Sequence, residues 1–325
     1  MDLPLIFTVL MGASVLAYVV LDGYDLGVGM LMPAASEEEQ ATMVSSIGPF
    51  WDANETWLVL GIGILLAAFP VAHGIVLTAL YIPVVAMLIG LMLRGVAFEF
   101  RVKAEGWQRE LWNWLFWMGS FAASFFQGVM LGRYITGFEQ GFGYWLFAIV
   151  VGASLCGGYV LLGATWLVLK SEGALQKKAL AWARWGLAWV ALGVALVSLA
   201  TPLVSETVRH KWFDFPRTLW LMALPAACVV CGAWLWRATG AKRRAGDAAP
   251  FVLAVAIFVM AFLGLAYSLY PYIVIDRLTI WEAAAHPSAL KALMIGAGIV
   301  LPFIVAYTIL AYSIFGGKAN AKLYD

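Results

Sequence analysis

Long apolar runs, separated by short charged clusters, set the pattern of this chain. A hydrocarbon layer about 30 Å thick is crossed by about 20 helical residues. On that ruler nine runs are predicted as membrane-spanning helices, near residues 4–31, 53–70, 74–100, 111–132, 143–169, 179–201, 217–236, 249–270 and 290–315. Several exceed the minimum, so tilt or projection beyond the lipid is expected. A β-barrel would show alternating segments of about ten residues, whereas the runs here are unbroken. The expected fold is an all-α polytopic membrane protein with no separate soluble domain and no low-complexity linker.

Composition agrees. Of 325 residues, 63% are hydrophobic and 12% charged, against roughly a half and a quarter in a soluble domain. Sixteen Trp and twelve Tyr suit a chain whose amphipathic rings sit at membrane interfaces. A formal net charge of +1 offers nucleic acid no electrostatic footprint. The three cysteines, Cys156, Cys228 and Cys231, all fall inside apolar runs and read as small packing residues. Cys228-Val-Val-Cys231 lacks the following His or the βαβ context that would make it a haem-attachment or redox motif. The first run has neither a basic leader nor a small-residue cleavage site, so it is expected to be a retained span and not a signal peptide.

Charge between the runs predicts orientation, because cytoplasmic loops are enriched in Lys and Arg. Nine spans put the two termini on opposite sides. One side collects Arg101, Lys103, Arg109, Lys170, Lys177, Lys178, Arg237, Lys242, Arg243, Arg244, Lys318 and Lys322. The other holds half as many: Arg133, Arg209, Lys211, Arg217, Arg277 and Lys291. The richer side is expected to be cytoplasmic, with the N-terminus outside and the C-terminus inside. A faint echo links MGASVLAYVVL at 11–21 with VGASLCGGYVLL at 151–162, one residue being inserted. It suggests two four-helix halves, 1–135 and 141–270, followed by a peripheral last helix and cytoplasmic tail, 288–325.

Three charged clusters interrupt the apolar pattern. In VVLDGYDLGVGM (19–30), Asp22 and Asp25 are three apart and lie near one helical face. An intramembrane acid costs roughly 2.5–3.5 kcal/mol on insertion scales, which favours a functional role. Asp22 is about 13 Å inside the end of its run, and Asp25 is expected nearer to water. Gly23 and Gly27 would let a neighbouring helix approach closely. In GPFWDANETWL (48–58), Pro49 marks a helix start, and Trp51, Asp52, Asn54, Glu55 and Trp57 crowd the first turns. A cap on the helix dipole accounts for one acid but not for the whole set; cap and site both stay open. In LMLRGVAFEFRVK (91–103), Arg94 lies inside its span and Arg101 seven residues on along the same face. Glu99 can pair with Lys103 four residues on, and a buried Arg seeks a carboxylate. The expected orientation places all three clusters at the cytoplasmic ends of neighbouring spans, where their acids and arginines would converge. Such acids relay protons or bind a cation.

Equally informative is what the chain lacks. It has no HExxH, P-loop, GxSxG or cysteine cluster. Its three histidines, His73, His210 and His286, are predicted at span edges or in outer loops, so no deep pair is expected to ligate a haem. A self-contained catalytic site is not expected.

The segments LDGYDLGVGML, GPFWDANETWLV, RGVAFEFR, GATWLVLK (163–170), TPLV (201–204) and LTIWEAA (278–284) follow in this order before the last helix. Together, over essentially the whole chain, they resemble subunit II of cytochrome bd-type quinol oxidases, in the shorter form common to cyanide-insensitive oxidases. The resemblance implies a haem-free subunit of a complex in the bacterial inner membrane. That complex serves aerobic respiration by oxidising quinol and reducing dioxygen to water without pumping. It implies two haem b and one haem d in subunit I, for which this chain would be a pseudo-symmetric partner. Small single-helix subunits and membrane lipid would be further partners. The family's proton-path acids map onto Asp22, Asp52 and Glu99; many relatives carry Asp at the last, so Glu99 keeps the acid and lengthens its reach. Asp25 and Glu55 would extend the path, with Arg94, Arg101, Trp51, Asn54 and Trp57 in support. Some members hold a structural quinone in this subunit, and some admit oxygen where Trp57 lies. The alternative is a proton- or cation-coupled secondary transporter. Inverted repeats place such a site near the bilayer midplane, whereas these charges lie off-centre and the echo would be parallel.

Overall fold

The computed structural model describes residues 1–240 and 246–319. Lys242, Arg243, Arg244 and Lys322, counted above on the basic side, lie outside the described residues, as does the side chain of Arg217. Eight helices among the described residues are long and apolar enough to cross a membrane. The remaining predicted run, 53–70, is occupied by the 18-residue α3, Trp51–Ala68, which carries Asp52 and Glu55.

Helix α1, Leu3–Leu31, starts where the Asp2 carboxylate accepts a hydrogen bond from the Leu5 N–H at 3.1 Å. A single 3₁₀ turn, Met32–Ala34, ends it at Pro33. The stretch between the first two predicted spans is not a plain loop but forms α2, Glu37–Ile47. Ser36 and Glu39 cap it reciprocally: the Ser36 N–H donates to Glu39 Oε2 at 2.8 Å and the Glu39 N–H to Ser36 Oγ at 3.4 Å. This S-x-x-E box satisfies two N–H groups that a helix start leaves open. Helix α3 is followed by the short α4, Pro70–Ala79, and α5, Tyr81–Arg101. Then come α6 (Trp107–Ile135), α7 (Phe142–Lys170) and α8 (Gly173–Val204). The predicted seventh span is divided between α10 (Arg217–Leu221) and α11 (Ala223–Ala238), after the short α9 (Glu206–Phe213). Helices α12 (Ala248–Leu269) and α13 (Pro287–Ile314) complete the chain. Between them β1 (Tyr272–Val274) pairs antiparallel with β2 (Leu278–Thr279), a small departure from the all-α expectation.

Helix α1 packs on α3, α6 and α7; α5 lies on α6, α7 on α8 and α12, and α11 on α12. Helix α13 runs beside α1 and α3. Large apolar side chains such as Val59, Ile82, Trp185, Leu199 and Phe303 point outward, as expected where the surroundings are lipid. The α1–α7 crossing depends on glycine. A Cβ on Gly27 would fall 1.8 Å from the Tyr159 carbonyl oxygen, and one on Gly163 would fall 2.4 Å from the Gly27 carbonyl carbon. The close neighbour anticipated from Gly23 and Gly27 is therefore α7, which touches α1 backbone to backbone.

Candidate functional site

One turn of α1 presents Asp22 and Asp25 inward, and both are fully buried. The expectation that Asp25 sits nearer to water is corrected: beside Asn54 of α3 it is as fully buried as Asp22. Arg94 of α5 reaches across with its Nη1 2.7 Å from Asp22 Oδ1. Its Nη2 donates to Glu55 of α3, forming a second ion pair. Glu55 keeps 29% of its side chain exposed, so the Asp22–Arg94–Glu55 chain runs from a dry interior to the surface.

Asp25 belongs to a second arm of the same site. Asn54 donates from Nδ2 to Asp25 Oδ2 at 2.7 Å and to the Tyr24 hydroxyl at 2.9 Å. The Tyr312 hydroxyl of α13 donates to Asn54 Oδ1 at 3.2 Å and shares a hydrogen bond with Tyr24. Aromatic rings close this arm: Tyr24 stacks on Trp166 at 4.1 Å, and Tyr312 stacks on Phe50 at 4.5 Å. Asp25 Oδ1 and Asp22 Oδ2 have no hydrogen-bond partner among the described residues. Asp22 and Glu55 thus share one guanidinium, and Asp25 sits beside them on Asn54.

Deeper along α1, Tyr18 accepts from Gln127 Nε2 of α6 at 2.6 Å, while Tyr159 of α7 donates to Gln127 Oε1 at 2.7 Å. Tyr18 and Tyr159 are the matched tyrosines of the sequence echo. A single buried amide therefore ties the two echoing helices together.

The expected convergence of all the charged residues is only partly realised. Asp22, Asp25, Asn54, Glu55 and Arg94 come together. Asp52 and Glu99 are exposed on α3 and α5. Glu99 forms no ion pair with Lys103 or any other described residue, since its side chain points away from the bundle. Arg101 is buried but finds no carboxylate; its Nε donates to Asn113 Oδ1 at 2.7 Å, and Asn113 in turn donates to Gln40 of α2 at 2.8 Å. It anchors α2 and not the acids. Trp51 lies tilted on Phe98 at 4.9 Å with the Arg94 guanidinium 5.9 Å from its ring centre. Trp57 is half-buried, with its indole N–H unpartnered.

Sequence reasoning missed Tyr18, Tyr24, Gln127, Tyr159 and Tyr312. The available signal was a polar atom inside an apolar helix. Gln127 stands out on that test because amides are costly in hydrocarbon unless paired. The tyrosines do not, since Tyr is also common at membrane interfaces.

The family profile described as Cytochrome bd terminal oxidase subunit II matches residues 3–315. The chain is 29% identical to Cytochrome bd ubiquinol oxidase subunit 2 of Bacillus subtilis, over 97% of this chain and 96% of that one. It is 28% identical to Cytochrome bd-I ubiquinol oxidase subunit 2 of Escherichia coli K12, over 95% and 93% of the two chains. A probable cytochrome oxidase subunit 2 of Haemophilus influenzae is 28% identical over 99% and 97%. In fold the chain is similar to a chain of the bd oxidase from Geobacillus thermodenitrificans. That match has a TM-score of 0.80 and 18% identity and covers 97% of this chain and 99% of that one.

Proposed function

The chain belongs to the family of cytochrome bd terminal oxidase subunit II, and from that premise we propose that it supports subunit I and carries protons to it from the cytoplasm. It is a multi-pass membrane subunit of a quinol oxidase complex, an oxidoreductase, which replaces the transporter alternative. The two haem b and the haem d are assigned to subunit I. The histidines here suit other tasks: His286 caps α13 by accepting from Ser288, His210 lies exposed beside Glu206, and His73 stands on the short α4. We place the basic end of the bundle in the cytoplasm and divide the spans into two halves with α13 at their edge.

The observation that carries this reading is a set of three carboxylates, Asp22 and Asp25 buried and Glu55 partly exposed, with one guanidinium bridging Asp22 and Glu55. Full ionisation would leave a net negative charge in a medium that solvates it poorly. A proton is the smallest counter-charge available. Passing it from Glu55 to Asp22, or on to Asp25, redistributes charge within the cluster and leaves the total unchanged, so the electrostatic cost of each move is small. Arg94 holds Glu55 and Asp22 on opposite sides of one planar group. Asn54 and Tyr24 fix Asp25. Asp52 and Glu99, exposed on the same helices, would gather protons at the mouth. Trp166 and Phe50 stack on Tyr24 and Tyr312 and cover the Asp25 arm.

The test uses the haem-loaded two-subunit complex. Asp22→Asn keeps the size of the side chain and removes the carrier. Oxygen consumption with quinol should fall by roughly 10²-fold, the range of a lost proton-transfer group, with haem content unchanged. Asp52→Asn should slow turnover less. Full haem content with wild-type turnover in both variants defeats the proton-path reading. Loss of haem in place of loss of rate would mean that the acids only hold subunit I.

A further inference from the structure

A separate cavity of about 200 Å³ lies between the α2–α3 corner, the end of α7 and the segment that follows α13. Ser45, Ser46, Phe50, Lys170, Phe315 and Lys318 are among the residues lining it. Lys170 is only 3% exposed, yet none of the ion pairs among the described residues includes it. Its ammonium donates to the carbonyls of Phe315 and Gly317, the latter at 3.1 Å, and lies 5.3 Å and 5.0 Å from the ring centres of Phe50 and Trp166. An ammonium has three hydrogens to donate, so one is uncommitted. Buried lysines are ordinarily paired with a carboxylate or another anion.

Lys318 stands on the same wall, but Asp247 matches its charge at 2.7 Å. Among the described residues at the cavity, the charge left without a counter-charge is that of Lys170. The Ser45 hydroxyl is buried and has no hydrogen-bond partner, whereas its neighbour Ser46 donates to the Met43 carbonyl at 2.7 Å. A plainer account makes Lys170 a cap on the C-terminal carbonyls of α13, where a cation suits the helix dipole. That uses two of its hydrogens and explains neither the unbonded hydroxyl nor the cavity.

We propose that this cavity binds a phosphate-class oxyanion, held by the Lys170 ammonium and the Ser45 hydroxyl. The anion is the headgroup of an acidic phospholipid or a free phosphate. Either brings oxygens that accept from both groups in short, charge-assisted bonds. Ile314, Phe50 and Phe315 supply an apolar rim beside the polar floor. The proposal is independent of the proton path.

The experiment takes the delipidated two-subunit complex in detergent and titrates it separately with inorganic phosphate and with phosphatidylglycerol. Thermal stability and native mass are followed. The expected result is a saturable stabilisation with one added ligand. Lys170→Met should weaken it about tenfold or more, the loss of a hydrogen bond to a charged group. Ser45→Ala should weaken it severalfold, and Ser45→Glu, which sets a carboxylate against Lys170, should abolish it. A response to phosphatidylglycerol alone identifies a lipid site, and a response to both shows that phosphate suffices. If Lys170→Met fails to assemble, the two Ser45 variants carry the test. The proposal is overturned if neither ligand produces a saturable response, or if the Ser45 variants respond as the wild type does.

Discussion

Helices α1 and α7 open on similar sequence, cross at Gly27 and Gly163, and send Tyr18 and Tyr159 to the same glutamine. Beyond the tyrosines they diverge. Counting on from that pair, α1 reaches Asp22 and Asp25 where α7 reaches Gly163 and Trp166. The charged turn of one helix is thus packed against the apolar turn of its look-alike, with Tyr24 stacked on Trp166. The contrast teaches how a chain can keep carboxylates dry. One helix brings the charge; the other brings a wall that holds water and its high dielectric away. Behind such a wall the attraction between Arg94 and the acids is several times stronger than in water.

The comparison can be broken first at Arg94. Arg94→Leu strips Asp22 and Glu55 of their cation, and breaking a buried pair costs about 3–5 kcal/mol. The yield of haem-loaded complex should collapse, while Arg94→Lys retains part of it; absorbance of the purified complex reads both. Next is the crossing itself. Gly163→Val drives side-chain atoms into the α1 backbone, an overpacking of about 1–3 kcal/mol or more. The melting temperature of the complex should drop, and its oxygen consumption should fall with it as the wall lifts. An unchanged melting temperature would mean that α1 and α7 do not touch as described.

Gln127→Leu tests what the two helices share. It leaves the buried Tyr159 hydroxyl without its acceptor and removes the donor to Tyr18, at about 1–3 kcal/mol. Chemical denaturation of the complex should show that loss, and Tyr18→Phe with Tyr159→Phe in the same background should recover part of it. The smallest effect is outside the bundle, where Lys178 donates to Glu39 at 2.7 Å. That bond holds the Glu39 carboxyl below its ordinary range. A depressed carboxylate stabilises the fold above its unfolded pKa and stops doing so as pH falls through the folded one. Lys178→Ala should therefore cost under about 1 kcal/mol at neutral pH and nothing at acid pH, as melting curves at the two pH values would reveal.

Spans and caps were legible because they depend on residues close in sequence. Apolar runs marked the helices, and Pro49 foretold the start of α3. The capping box at Ser36 and Glu39 was equally local but was passed over in a stretch too short to span a membrane. The site was legible in part. Asp22, Asp25 and Arg94 stood out because charge within an apolar run is costly. Which acids share a pocket did not follow, because Asp52 and Glu55 are three residues apart near one face of α3, yet only Glu55 reaches Arg94.

By itself the sequence determined a membrane-embedded helical chain, its family likeness, and the turns of α1, α3 and α5 that carry charge. Those follow from hydropathy and from the cost of an ion in hydrocarbon. The tertiary structure alone decided that Asp25 is as dry as Asp22, that Gln127 joins α1 to α7, and that Tyr312 reaches Asn54 from the far end of the chain. Such contacts depend on which helices lie side by side and at what depth, and no periodicity along a single helix encodes that.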